Sequence, residues 1–211
     1  PWQRNMVCFV KGSGTGAVGG TLAFDIQEAD PQLVPLGSLT KNSNGSYAGD
    51  CTGLWTGDSG MVKLSRRTVT SQWPTGLLPL SGPVFTVVDE VECDGSLTPH
   101  ICWNTPNQPQ IFGYRASGLP ILNARSMTFA NGAAAATLTF DSPKTAIAIG
   151  GVDHMIDGLD GKPYLPDVSR ELNASMMAQP DDGQIRWGGY WRVHVVLPPG
   201  GGKLTTTIQV R

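Results

Sequence analysis

Short stretches in which apolar and polar residues alternate recur along almost the whole chain. In Thr21-Leu22-Ala23-Phe24-Asp25-Ile26, the residues Leu22, Phe24 and Ile26 fall on one face, the period of a half-buried strand. Met61 to Leu64 and Thr68 to Thr70 read as the two arms of a hairpin. Pro83 to Val91 is rich in Val, Phe and Thr, which suit a pleated surface. Ala134 to Phe140, Lys144 to Ile149, Trp191 to Leu197 and Lys203 to Val210 complete the strand set, with Trp191, Val193 and Val195 on one face. Pro198-Pro199-Gly200-Gly201-Gly202 reads as a hairpin loop joining the last two. Gly12 to Gly20, Lys41 to Asp50, Thr75 to Pro83 and Asn104 to Pro109 have loop composition. One helix is predicted after Pro166, with Asp167 as N-cap and Val168, Leu172 and Met176 on one stripe.

The punctuation between these stretches is dense: the chain holds 27 glycines and 16 prolines in 211 residues. Both interrupt helices and build turns. The pattern predicts an all-β fold, a single-domain antiparallel β-sandwich or barrel over 1–211, with long loops and at most one or two short helices. No composition shift marks a second domain, and the start at Pro1 reads as a cut inside a longer chain.

Charge narrows the function classes. Charged residues make up only 15% of the chain and the formal net charge is −2, so there is no basic footprint for nucleic acid. The apolar runs are too short for a membrane-spanning helix. Arg66-Arg67, the adjacent basic pair, reads as solvated. Four cysteines occur, Cys8, Cys51, Cys93 and Cys102, with no C-x-x-C spacing. Buried free thiols are the favoured reading; a Cys93–Cys102 disulfide closing a hairpin is the alternative.

Candidate chemistry fails on context. Gly14-Thr15-Gly16-Ala17-Val18-Gly19 matches a dinucleotide fingerprint, but β-type alternation follows where a helix is required. Gly57-Asp58-Ser59-Gly60 is like a serine-protease nucleophile segment, yet His100, His154 and His194 all follow Ser59. Asp153, Asp157, Asp160 and Asp167 with His154 lack calcium-loop spacing. Asp89, Glu90 and Glu92 read as a solvated edge, with Glu90 and Glu92 facing away from Asp89. No catalytic residue, metal or cofactor is expected. The best candidate binding residues are aromatic: Trp187 and Tyr190, which bracket Gly188-Gly189, and Trp55 at a loop end. Two N-x-S sequons stand at Asn44 and Asn173.

The Gly/Ser/Thr/Asn-rich loops (Gly12 to Gly20, Lys41 to Gly49), the stretch Leu77-Leu78-Pro79-Leu80-Ser81-Gly82-Pro83 and the turn Pro198 to Gly202 together resemble the protruding domains of small non-enveloped RNA virus capsids. Astrovirus spikes, avian ones included, are the most similar; calicivirus and hepatitis E-like protruding domains are rivals. The resemblance implies a homodimeric spike on the virion surface that attaches to a host-cell receptor, glycan or protein, and carries antibody epitopes. The alternatives are a carbohydrate-binding or adhesin-like module of a secreted microbial protein, and a hydrolase using Ser59 or a carboxylate pair.

Overall fold

The computed structural model describes residues 7–11, 21–22, 38–54, 61–74, 82–105, 108–111, 114–115, 120–150 and 191–211. In chain order they form β1 (Val7–Lys11), β2 (Thr21–Leu22), β3 (Ser38–Lys41), β4 (Tyr47–Asp50), β5 (Val62–Gln72), β6 (Val84–Cys93), β7 (Leu97–Thr105), β8 (Gln110–Ile111), β9 (Tyr114–Arg115), β10 (Ile121–Asn131), β11 (Ala134–Gly150), β12 (Trp191–Val196) and β13 (Gly201–Val210). Among the described residues the helical structure is one 3-10 turn, Thr52–Leu54. Every strand pairing is antiparallel, along the path β2-β1-β7-β12-β11-β13-β6-β5-β4-β3, with β10, β8 and β9 branching from β11. The chain is an all-β protein.

The architecture rests on three long runs that bend side by side. β6 and β7 form one run, interrupted at Asp94–Ser96, and β12 and β13 form another, interrupted at Leu197–Gly200. β13 pairs with β6 while β12 pairs with β7, so the two runs form one antiparallel ribbon around a corner. β11 is the third run: Ala136–Phe140 pair with β13 and Thr145–Gly150 pair with β12. Backbone bonds stitch the corner, from Cys93 N to Gly200 O (3.0 Å), Gly200 N to Leu97 O (3.0 Å) and Leu197 N to Pro99 O (2.9 Å). Pro198 to Gly202 is therefore a corner and not the expected hairpin loop, because β12 and β13 each pair with other strands. Met61 to Thr70 is likewise no hairpin; Val62–Gln72 is one continuous strand.

The bend encloses the core. Fully extended, Asp89 and Trp103 would lie roughly 46 Å apart along the β6–β7 run. Yet the guanidinium of Arg67, bonded to Asp89, sits 4.9 Å from the Trp103 ring centroid. The inner faces of both halves thus meet, with Val87, Val91 and Leu204 from one half clustered with Leu97, Ile101 and Val193 from the other. β7, β12 and the end of β11 are buried on their second face as well, where Thr98, His100, Cys102, Ile147, His194 and Val196 lie.

Cys93 and Cys102 are not joined, and Cys51, Cys93 and Cys102 are thiols. Burial pushes the Cys93 thiol up to about 11, helped by the carboxylates of Asp94 and Glu92 against a bond from the Gly200 backbone. The thiolate is the reactive form. Iodoacetamide at pH 8 is expected to leave Cys93 unmodified in the folded chain and to modify it in urea. Peptide mass mapping checks this, and rapid labelling of Cys93 in the folded chain would contradict it.

Candidate functional site

Trp55, Trp187 and Tyr190 all lie outside the described residues, as do Ser59, the Gly14–Gly19 motif, the acidic group from Asp153 to Asp167 and the helix expected from Asp167 to Met176. What the described residues do bring together is a surface on the inner face of β3, β4 and β5.

Its geometry follows from register. One row across the sheet runs Leu39, Gly49, Arg67, Asp89, Leu204. Paired residues on neighbouring antiparallel strands share a face. Along this row exposure falls from 77% at Leu39 to 0% at Leu204. The next row runs Lys41, Tyr47, Val69, Val87, Thr206, and ends in the core in the same way. A third contains Ser71, Phe85, Ile208 and Leu138. Trp73 stands edge-on to Phe85, with ring centroids 6.3 Å apart. Where the core runs out, the apolar face continues as Leu39, Tyr47 (48% exposed) and Trp73 (69% exposed). Scattered exposed apolar residues are ordinary; exposed ones grouped at the edge of a core face are a candidate interaction surface.

Local chemistry fixes this margin. β3 and β4 are a true hairpin whose turn and second strand occupy Lys41 to Asp50, the stretch expected to be a loop. Gly45 N donates to Asn42 O (3.0 Å), Asn42 N donates to Ser46 O (2.8 Å), and Gly45 takes the left-handed region at φ +80°. This is a short connection closed by a glycine bulge. The sequon residue Asn44 is exposed at its tip. At the other end of β4, Thr52 N donates to Asp50 Oδ1 (2.9 Å), which with the Thr52 hydroxyl holds the Asp50 carboxyl below its usual range. Thr52 Oγ1 in turn accepts from Ser65 N (2.9 Å), tying the 3-10 turn to β5. Lys41 Nζ lies 6.0 Å over the Tyr47 ring, a cation–π contact that leaves the phenol edge in solvent. The nearest atom to where a Cβ on Gly49 would stand is Arg67 O, at 4.0 Å, so an open trough lies between Leu39 and Arg67.

Arg67 anchors the trough's inner end. Its Nε donates to Asp89 Oδ1 (2.6 Å) and Nη2 to Asp89 Oδ2 (3.1 Å), a forked contact with a carboxylate that is 1% exposed. Arg67 and Asp89, which the sequence predicts to be solvated, are instead paired and largely buried: the parity that turns Glu90 and Glu92 outward turns Asp89 into the core. Glu90 pairs with Lys203 (3.4 Å) and Glu92 with Lys63 (3.7 Å) in solvent. Burial pushes the Asp89 carboxyl up, while the charge and hydrogen bonds of Arg67 pull it down.

The opposite face carries the charged row Asp50, Arg66, Glu90 and Lys203 and, further along the strands, a polar uncharged one. A row of hydroxyls, Thr70, Thr86, Thr207, Thr139 and Ser126, crosses five strands in register. A thiol–imidazole contact also exists, Cys102 Sγ to His194 Nδ1 at 3.6 Å, with the His100 and His194 rings edge-to-face at 5.5 Å. All three side chains are buried, which keeps them from any substrate in solution. Among the described residues no group of three or more His, Cys, Asp or Glu stands where it could hold a metal ion.

The margin was hidden in the sequence because Tyr47 falls in a segment of loop composition and neither Leu39 nor Trp73 belongs to an alternating stretch. The signal that exposes it is the pair Asn-Gly within Asn42 to Ser46, flanked by Leu39 and Tyr47, which is a hairpin signature. No protein-family model matches the chain, and no curated protein matches it.

Proposed function

We propose that this chain is a non-enzymatic attachment module, the surface spike of a small non-enveloped RNA virus capsid, and that it engages a host-cell receptor through the margin formed by Leu39, Tyr47 and Trp73. The observation that carries the reading is the continuity of the inner face: Leu39 and Tyr47, in register with core rows, stand in solvent on a hairpin closed by backbone bonds, and Trp73 stands exposed just past β5. A stiff frame lets a contact surface be displayed without ordering cost at binding. Tyr and Trp supply broad contact area with few rotors, and the low-charge Thr-rich surface suits wet, polar recognition of a glycan or protein. The resemblance to astrovirus spikes supplies the virion setting, the antibody epitopes and the two-fold homodimer. A dimer gives twice the chain mass of 22.4 kDa in light scattering at micromolar concentration; the monomer mass would contradict it.

Glycan arrays and a panel of vertebrate cells test the reading directly. Saturable binding by the folded chain supports it. Absence of binding together with turnover of a substrate contradicts it. A carbohydrate-binding or adhesin-like module of a secreted microbial protein is the second reading, favoured by the exposed sequon at Asn44. A glycan at Asn44 in protein isolated from its native source supports this second reading against the capsid.

A further inference from the structure

We propose that the Asn44-Gly45 pair is a self-modification site at which the folded turn converts its own asparagine to aspartate and isoaspartate. The inference stands on the turn's geometry and is independent of the attachment reading.

Three features converge on the Asn44 side-chain amide. Its Oδ1 accepts from Ser46 N (3.1 Å) and from Ser46 Oγ (2.7 Å). The first bond closes an Asx turn that holds the side-chain amide beside the Gly45 peptide, whose nitrogen closes a five-membered ring by reaching Cγ. Two donors on Oδ1 polarise the carbonyl and stabilise the negative charge that develops there under attack, as an oxyanion hole does. Ser46 is itself 1% exposed and oriented by Asn42 Nδ2, which donates to Ser46 Oγ (2.8 Å), so these donors are fixed in place. On the nucleophile's side, Gly45 has no side chain to shield its nitrogen, and nothing lies within 4 Å of where a Cβ would stand. Asn44 is open to water.

The chemistry balances without a co-reactant other than water. Hydroxide removes the Gly45 amide proton as its bond to Asn42 O opens. Gly45 N then forms a bond to Asn44 Cγ, and the Cγ–Nδ2 bond breaks. Nδ2 leaves as ammonia, taking up a proton from water, and a succinimide remains. Water opens the ring at either carbonyl, giving aspartate or isoaspartate. The product adds one negative charge at the tip of the β3–β4 hairpin, between Lys41 and Tyr47 in the chain, and the isoaspartate form lengthens the backbone of a turn held by two hydrogen bonds.

The test is incubation of the folded chain at 37 °C from pH 7 to pH 9, with peptide mass mapping and enzymatic isoaspartate methylation. The Asn44 peptide is expected to gain the amide-to-acid mass difference in the native state, faster at higher pH, with both products present. Ser46→Ala, which removes one of the two donors to Oδ1, is expected to slow conversion several-fold. The same variant in urea must convert at the wild-type rate, which separates loss of the donor from loss of the fold. An Asn44 that stays intact in the native chain while the urea-unfolded chain converts it would overturn the proposal. So would a Ser46→Ala chain that converts as fast as wild type when folded.

Discussion

Replacing Arg67 with methionine is expected to cost the fold about 3–5 kcal/mol, the usual consequence of stranding one partner of a buried ion pair. The forked contact to Asp89 and the Trp103 ring against the guanidinium are lost together, and a carboxylate that is 1% exposed keeps its burial without its cation. The pH dependence has a definite sign. Burial raises the Asp89 carboxyl, and Arg67 is the cation that opposes that rise. A carboxyl with a folded value above its unfolded one favours the folded state when protonated, fully below the unfolded value, and that advantage disappears as pH rises through the folded value. Without Arg67 the folded value climbs further. The deficit of the Arg67→Met chain is therefore largest at pH 7 and shrinks as pH falls toward about 4. Adding Asp89→Leu removes the stranded charge and is expected to recover most of the loss. Urea unfolding of wild type, the single variant and the double variant at both pH values measures all three. A double variant no more stable than the single one would contradict the assignment of the loss to the carboxylate.

Gly201→Ala is expected to destabilise by about 3 kcal/mol through backbone strain, lowering Tm by roughly 6–12 °C. Gly201 opens β13 opposite Glu92 and carries φ +113°, a region that side chains avoid. A Cβ there would stand 2.1 Å from Val91 O and 2.8 Å from Val91 C, and a strand backbone in the ribbon cannot yield as a flexible side chain does. Gly200 is the internal control. Its φ of +86° is nearer the left-handed region that asparagine visits, and the nearest atoms to a new Cβ are at 3.9 Å. Gly200→Asn is expected to cost under about 1 kcal/mol. Equal losses at the two positions would mean that the corner does not constrain the chain as described. Thermal unfolding of the two single variants decides between these outcomes.

Much of the frame was legible because alternation reports one buried face. Lys203 to Val210 alternates and became β13, and Pro83 to Val91, rich in Val, Phe and Thr, became β6. β7 and β10 were not legible. β7, Leu97–Thr105, carries Pro99 and is buried on both faces, so its apolar positions do not alternate. β10 is broken by a register shift between Ile121 and Ala124, where Asn123 takes φ 58°, which disrupts the period. Local signals also misassigned connectivity: Pro198 to Gly202 reads as a hairpin, while pairing across the corner is a long-range choice that the turn itself does not encode. The candidate margin was missed for a related reason. Leu39 and Tyr47 lie in a short, glycine- and asparagine-rich stretch whose strands are four residues each. At that length composition outweighs period. Asp89 shows the converse: parity put it opposite Glu90 and Glu92, and only the tertiary position of Arg67 and Trp103 explains why a charge is tolerated there.

The central claim is that the chain works by being bound through the exposed continuation of its own core face. It is tested most directly by comparing wild type with a Leu39→Ser, Tyr47→Ser, Trp73→Ser triple variant for binding to the same panel of vertebrate cells, after unfolding curves establish that both are folded. All three side chains are exposed, so the variant is expected to keep its fold while cell binding falls by at least about tenfold, roughly 1.4 kcal/mol or more, the loss of an aromatic contact centre. Undiminished binding by the folded triple variant would contradict the account.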